Sequence, residues 1–257
     1  VISLLKKATL LLLFSLTPLC VSAASLPPKE VVNELKQFDG KIGFYAKNLK
    51  TSKTIEYGQD TVFPTASTSK LVVAMAVYKY MYDQAPFAKK DLYSSDIGYM
   101  MRISDNDSFY ELLEEIKAIK PDALKQVTKD LRLKQTRIHN EEAFKKYQYH
   151  SVTTPYEMAK VFENINAERY LGKEKSLNLK NNLANTIFHD EIPRYMQTPV
   201  MHKVGQLDDV LCDVGIIDDG RDQILVSVYT IADNPDYASD FIAKVAAKAY
   251  NALRTSK

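Results

Sequence analysis

From Ser67 the run "STSKLVVAMAVYKYMYDQ" is apolar on nearly every face as far as Tyr80. That pattern predicts a helix buried on all sides, the central helix of the fold. Ahead of it, "PPKEVVNELKQF" opens with prolines and spaces Val31, Leu35 and Phe38 as one helical face. "KIGFYAKN" and "KTIEYG" then alternate apolar and polar around "NLKTSK", which predicts a β-hairpin. Beyond the central helix the spacing predicts helices over 94–103, 107–119 and 121–131. The polar segment "TRIHNEEAFKKYQYHSV" has no clear period and reads as a loop. "TTPYEMAKVFENI" restarts a helix, with Thr153 or Thr154 as N-cap and Pro155 in the first turn. The strand-like runs "TPVMHKVG", "DVGIIDD" and "QILVSVYTIA" follow, then the amphipathic "YASDFIAKVAAKAYNAL". Two strands early, three late and helices between predict an α/β (α+β) fold. Its mainly antiparallel five-stranded sheet would be flanked by helices, with an all-helical lobe inserted over roughly 70–195.

The chain has 257 residues, 46% of them hydrophobic and 26% charged, which suits one globular domain or two lobes folded together. The opening "VISLLKKATLLLLFSLTPLCVSAAS" places Lys6 and Lys7 before an apolar run that ends in small residues. This is the pattern of a secretory signal over 1–24, leaving 25–257 as the mature domain. Ser15, Thr17 and Pro18 interrupt the run, which falls short of the roughly 18 to 20 apolar residues of a membrane span. Removing the signal takes two of the 34 basic residues and none of the 32 acidic ones. The mature chain is then formally neutral, and nothing favours nucleic acid or an anionic membrane as partner. Cys20 leaves with the signal, so Cys212 has no partner for a disulfide. His139, His150, His189 and His202 are scattered without metal-ligand spacing, so neither a metal nor a cofactor is expected.

Three short patterns carry candidate chemistry: Ser67-Thr68-Ser69-Lys70, Ser104-Asp105-Asn106 and Lys203-Val204-Gly205. Each alone is weak, since Ser3-Leu4-Leu5-Lys6, Ser176-Leu177-Asn178 and Lys41-Ile42-Gly43 match the same loose forms. Placement separates them: a serine opens a buried helix, a polar turn lies between helices, and a lysine leads out of a strand. A hydroxyl nucleophile needs a base within hydrogen-bond reach, and Ser67 and Lys70 at i and i+3 share a helical face. Apolar neighbours would push the Lys70 pKa down toward that of a useful base. Unpaired N–H groups at the helix start, with the backbone of Gln206, could hold an oxyanion. Read alone, the pair is more readily a helix-start serine and a lysine whose stem buries while its head reaches water.

Taken in order, "TVFPTASTSKL", "ISDNDS", "TTPYEMAKVF", "IPRYMQTPVMHKVG" and "DVGII" resemble the serine β-lactamase and penicillin-binding protein superfamily, nearest to class A β-lactamases. The likeness runs over nearly the whole mature chain. It implies that Ser67 is the acylated nucleophile and Lys70 its general base or proton relay. Ser104 would pass a proton to the leaving nitrogen. Asn106 would orient the substrate amide and hold Lys70, and Lys203 with Gly205 would bind the substrate beside the Gln206 backbone. For the water that releases the acyl group the likeness points to Glu142, with Glu141 as the alternative.

Three departures qualify the likeness. The segment before Ser104 is short, so one wall of the cleft would be open. Val204 stands where the family has a hydroxyl residue, and Leu211, Cys212 and Asp213 fill the region where an arginine is expected. The lost hydroxyl removes a hydrogen bond worth roughly 1 to 3 kcal/mol to a charged acceptor. The loop from Arg137 to Val152 lacks the Leu-Asn pair that helps place the water. The resemblance, with the expected signal, thus implies an exported, metal-independent, monomeric hydrolase, periplasmic, extracellular or in the cell envelope of a bacterium, that opens β-lactam rings. A D-alanyl-D-alanine peptidase with slow acyl release is the alternative, and a non-catalytic envelope binding protein the third possibility.

Overall fold

The computed structural model describes residues 27–255, so the expected signal over 1–24 lies outside the described residues. Pro28–Leu35 forms helix α1, with proline in its first turn and Val31 and Leu35 turned inward. Lys41–Asn48 (β1) and Thr54–Tyr57 (β2) pair antiparallel as the expected hairpin, with Phe44 opposite Tyr57. At the chain's end, Val200–Gln206 (β5), Val210–Asp218 (β6) and Gln223–Ile231 (β7) return to the same sheet. The strand order is β2-β1-β7-β6-β5, and every neighbouring pair runs antiparallel. Residues of both parities are buried along β6 and β7, because helices cover both faces. On one face α1 and Pro235–Leu253 (α9) pack over Phe44, Val226 and Val228. On the other lies the larger apolar cluster built around Ser69–Tyr80 (α2).

Ten of the twelve α2 residues are buried, as its all-round apolar pattern predicts. Around it stand Phe87–Arg102 (α3), Asn106–Ile119 (α4), Ala123–Asp130 (α5), Pro155–Asn166 (α7) and Lys173–Ala184 (α8). Helix α3 starts seven residues before the expected one, straight after Pro86, and α8 has no counterpart among the expected elements. Thr154 caps α7, accepting from Glu157 N at 3.1 Å. A short pair, Phe63–Pro64 (β3) and Val152–Thr153 (β4), ties the approach to α2 to the start of α7.

The polar segment expected as a loop contains a further helix, Glu141–Tyr147 (α6). Asn140 caps it through Ala143 N at 2.9 Å, the acidic pair lies in its first turn and Lys145 and Lys146 in its last. These are the charges a helix dipole favours, although seven residues are too few to show an apolar period. The base of this loop is fixed. Arg137 and Val152 exchange two backbone bonds of 2.9 Å, and the buried Glu157 carboxylate accepts from the backbone of Lys134, Gln135 and Thr136.

Candidate active site

Ser67 sits in a single 3-10 turn, Ala66–Thr68, that runs directly into α2. The turn is held from both sides. Thr68 Oγ1 donates to Thr65 O at 2.6 Å and accepts from the buried Tyr229 hydroxyl at 2.7 Å, while Ser69 Oγ donates to Ala66 O at 2.8 Å. Ala66 adopts a left-handed φ of 43° and Ser104 one of 57°. Strained backbone at two non-glycine residues of one cleft is kept only where the surroundings over-determine it.

Lys70 is 2% exposed, so its head does not reach water. Its Nζ lies 2.6 Å from Ser104 O, 2.7 Å from Asn106 Oδ1, 3.1 Å from Ser67 Oγ and 3.2 Å from Ser104 Oγ. The two shortest contacts go to carbonyl oxygens that can only accept. A neutral amine has two N–H donors, which those oxygens would use, and one lone pair, which is left for a hydroxyl proton. Burial pulls the Lys70 pKa down to about 8, against the opposing field of Asp105. Desolvation therefore supplies a base without any carboxylate beside it. The Phe109 ring stands 5.6 Å from the nitrogen.

Ser104 follows α3 in the turn before α4, where Asp105 and not Ser104 is the N-cap, accepting from Ser108 N at 2.7 Å. That leaves the Ser104 hydroxyl free for the cleft. It receives Lys203 Nζ at 3.0 Å, and Lys203 also donates to Val204 O at 2.7 Å. The lysine that leads out of β5 is 1% exposed. Burial first, then the charge of Lys70, lowers its pKa to about 7, with Asp213 acting the other way. Val204 contributes its carbonyl, and its side chain packs in the apolar cluster on the α9 side of the sheet.

Gly205 closes the floor. A Cβ there would lie 2.7 Å from Ser67 N and 3.0 Å from Cys212 Sγ, so the approach of β5 to the Ser67 turn requires glycine. Leu207 N donates to Val210 O at 2.9 Å, making 207 and 210 a hydrogen-bonded pair. Alternation along the ladder then turns the Gln206 N–H away from β6, over the open edge of β5. Beneath, the fully buried Cys212 donates to Thr65 O and Gly205 O at 3.4 and 3.3 Å, and burial pushes its thiol pKa up. It is a packing residue in this cleft.

Thus Ser67, Lys70, Ser104, Asn106, Lys203 and Gly205 meet in one cleft, although they come from three separate stretches of chain. The acidic pair does not join them. Glu142 and Glu141 are both exposed in the first turn of α6, and no hydrogen bond links either to Lys70 or Ser67. The Glu141 carboxylate lies 3.5 Å from His150 instead. The Asn140 cap sets this phase of the helix and turns both carboxylates to solvent. Among the described residues no group of histidine, cysteine and carboxylate side chains is placed to hold a metal ion.

With this geometry in view, a sequence profile described as the Beta-lactamase enzyme family matches residues 27–92 and 88–253. The chain belongs to the β-lactamase enzyme family. Solved β-lactamase structures share its fold at low identity. The enzyme from Sphaerobacter thermophilus matches with a TM-score of 0.72 and 19% identity over 88% of this chain and 96% of its own. One from Chitinophaga pinensis matches with 0.75 and 19% over 87% and 98%. An acyl-enzyme complex of a PBP-A variant with penicillin G matches with 0.73 and 20% over 88% and 95%. The fold is therefore that of serine β-lactamases and penicillin-binding proteins. Within this β-lactamase-family chain, sequence reasoning missed the Tyr229–Thr68 contact, the rings of Phe109 and Phe188 beside the two lysines, and a buried His202–Asp213 pair. His202 and Asp213 lie on neighbouring strands one diagonal apart, so only the register brings them together.

Proposed function

We propose that this protein is an exported serine hydrolase that opens β-lactam rings through an acyl-serine at Ser67, in the manner of class A enzymes. The observation that carries the reading is the single Lys70 nitrogen shared by Ser67, Ser104 and Asn106. Neutral Lys70 takes the Ser67 proton as Oγ attacks the lactam carbonyl carbon. The N–H groups of Ser67 and Gln206 stabilise the resulting oxyanion. Ser104 gives its proton to the ring nitrogen as the C–N bond breaks, and is reprotonated through Lys70. Lys203 attracts the substrate carboxylate and polarises Ser104, and the Asn106 amide N–H is left to meet the acyl side chain. The cleft that supports this reading needs neither metal nor cofactor.

Exposure of Glu141 and Glu142 favours a second reading, a penicillin-binding peptidase of the same acyl-serine chemistry with slow release. Water must be held in attack geometry, and misplacement by an ångström can cost about a hundredfold. Hydrolysis of a chromogenic cephalosporin by the protein and by Ser67→Ala tests the activity. Traces that coincide for the two proteins from the first turnover would exclude both readings, and a single stoichiometric burst without turnover, absent in Ser67→Ala, would select the second.

A further inference from the structure

Residues 186–196 form a strap that links the helical lobe to the far side of the sheet. At the lobe, Ile187 N and Thr186 Oγ1 both donate to Arg102 O, at 3.0 and 3.1 Å. At α9, Ser239 Oγ donates to Asp190 O and to Glu191 Oε1, at 3.2 and 3.1 Å, and Tyr195 OH donates to Asp240 Oδ1 at 2.9 Å. The middle of the strap is pinned by one buried pair. His202 Nδ1 lies 2.9 Å from both Asp213 carboxylate oxygens, and Nε2 lies 3.0 Å from Phe188 O. Asp213 Oδ2 also accepts from Ile192 N at 3.1 Å.

Both ring nitrogens of His202 face acceptors, so both donate and the ring is an imidazolium. Burial works against that charge, but the field and hydrogen bond of Asp213 overcome it and the pKa is raised. The sheet makes room for the ring: Gly215 stands opposite His202, and a Cβ there would lie 2.5 Å from His202 Cβ. A buried ion pair adds little stability over an apolar pair of similar volume, so what it contributes is geometry. Here it fixes Phe188, whose ring stands 5.6 Å from Lys203 Nζ. Lys203 follows His202 in β5 and faces the opposite side of the sheet.

We propose that His202 and Asp213 are positioning residues for Lys203: acting from behind the sheet, they pin the strap so that Phe188 closes over the Lys203 ammonium and keeps it against Ser104. The inference rests on the reading of Lys203 as a substrate-binding group. The titratable groups whose fields reach Lys203 are Lys70 from α2 and, from β6, Cys212 and Asp213, the latter through the sheet. Those that face the pair are Glu191 from the strap, with Asp190 beside it.

The test follows the Lys203 ammonium by NMR titration of 13Cε-lysine protein, assigned with Lys203→Arg, in Asp213→Asn and Phe188→Leu. Asp213→Asn removes a charge that supports the ammonium, so the Lys203 midpoint falls. The falling alkaline limb of acylation by a carboxylate-bearing β-lactam moves down with it. Phe188→Leu keeps the fold and slows acylation about tenfold. A midpoint and an acylation profile equal to those of the unaltered protein in both variants would overturn the proposal. If Asp213→Asn does not fold, Phe188→Leu decides: unchanged acylation and Lys203 titration overturn the proposal, and a tenfold loss supports it. The NMR titration needs no turnover. Should no β-lactam acylate the unaltered protein, the acyl-serine reading fails while the Lys203 titration still decides this one.

Discussion

Lys203 Nζ and the Ser104 hydroxyl meet at 3.0 Å across 99 positions of chain, joining the edge of the sheet to the turn between α3 and α4. Ser104 Oγ also lies 3.2 Å from Lys70, so one hydroxyl stands between two lysines and has its own proton free for the cleft.

Ser104→Ala should therefore remove proton delivery and leave the frame intact, because Lys70 keeps its bonds to Ser104 O and Asn106. Acylation by a chromogenic cephalosporin, followed by stopped flow, should fall about 10²- to 10⁴-fold. The melting temperature should move little. An undiminished rate would show that the leaving nitrogen takes its proton elsewhere.

The pH dependence of acylation follows from the two lysines. In the proposed reaction Lys70 would act as a base when neutral, above about 8, and Lys203 would attract a carboxylate when charged, below about 7. The active form is thus the minority one, with the two lysines in reversed states, and the rate is bell-shaped with its maximum between those values. For a β-lactam lacking the carboxylate, the alkaline limb should flatten. An identical bell for both substrates would contradict the role of Lys203.

Folding stability should respond to pH in two opposite directions. The folded pKa values of Lys70 and Lys203 lie near 8 and 7, below the ordinary 10.5, so the unfolded chain binds more protons in between. Stability from these groups rises with pH from about 7 to 10.5. Burial, aided by Asp213, raises Glu191 from 4.5 to about 7, so there the folded chain binds more protons and stability falls over that window. Glu191→Gln keeps an acceptor for Ser239 and removes the falling slope. It should be more stable than the unaltered protein at pH 8 by ~1–3 kcal/mol. Calorimetric melts from pH 4.5 to 8 check this, and an unchanged slope would count against it.

Much of this site was legible because its chemistry is local. Ser67 and Lys70 share one turn, and the pattern of α2 marked that turn as the entrance to a buried helix. The hairpin and three late strands were equally readable from alternation and turn residues. What escaped depended on contacts between distant segments. Helix α6 is too short for a period and was marked only by its Asn140 cap and end charges. The exposure of Glu142 depends on the phase of that helix, which the family likeness does not encode. His202 looked like a scattered histidine until β5 and β6 set it beside Asp213. The depressed pKa of Lys203 could not be read from a strand-edge position. It comes from burial and from Lys70, which reaches it through the fold.

The central claim is that Ser67 becomes acylated. Intact-mass spectrometry over time after mixing the protein with penicillin G tests it most directly. The account predicts a gain of one penicillin mass per chain, absent in Ser67→Ala, with its lifetime measuring how well the exposed acidic loop places water. No adduct on the unaltered protein, or an equal adduct on Ser67→Ala, would contradict it.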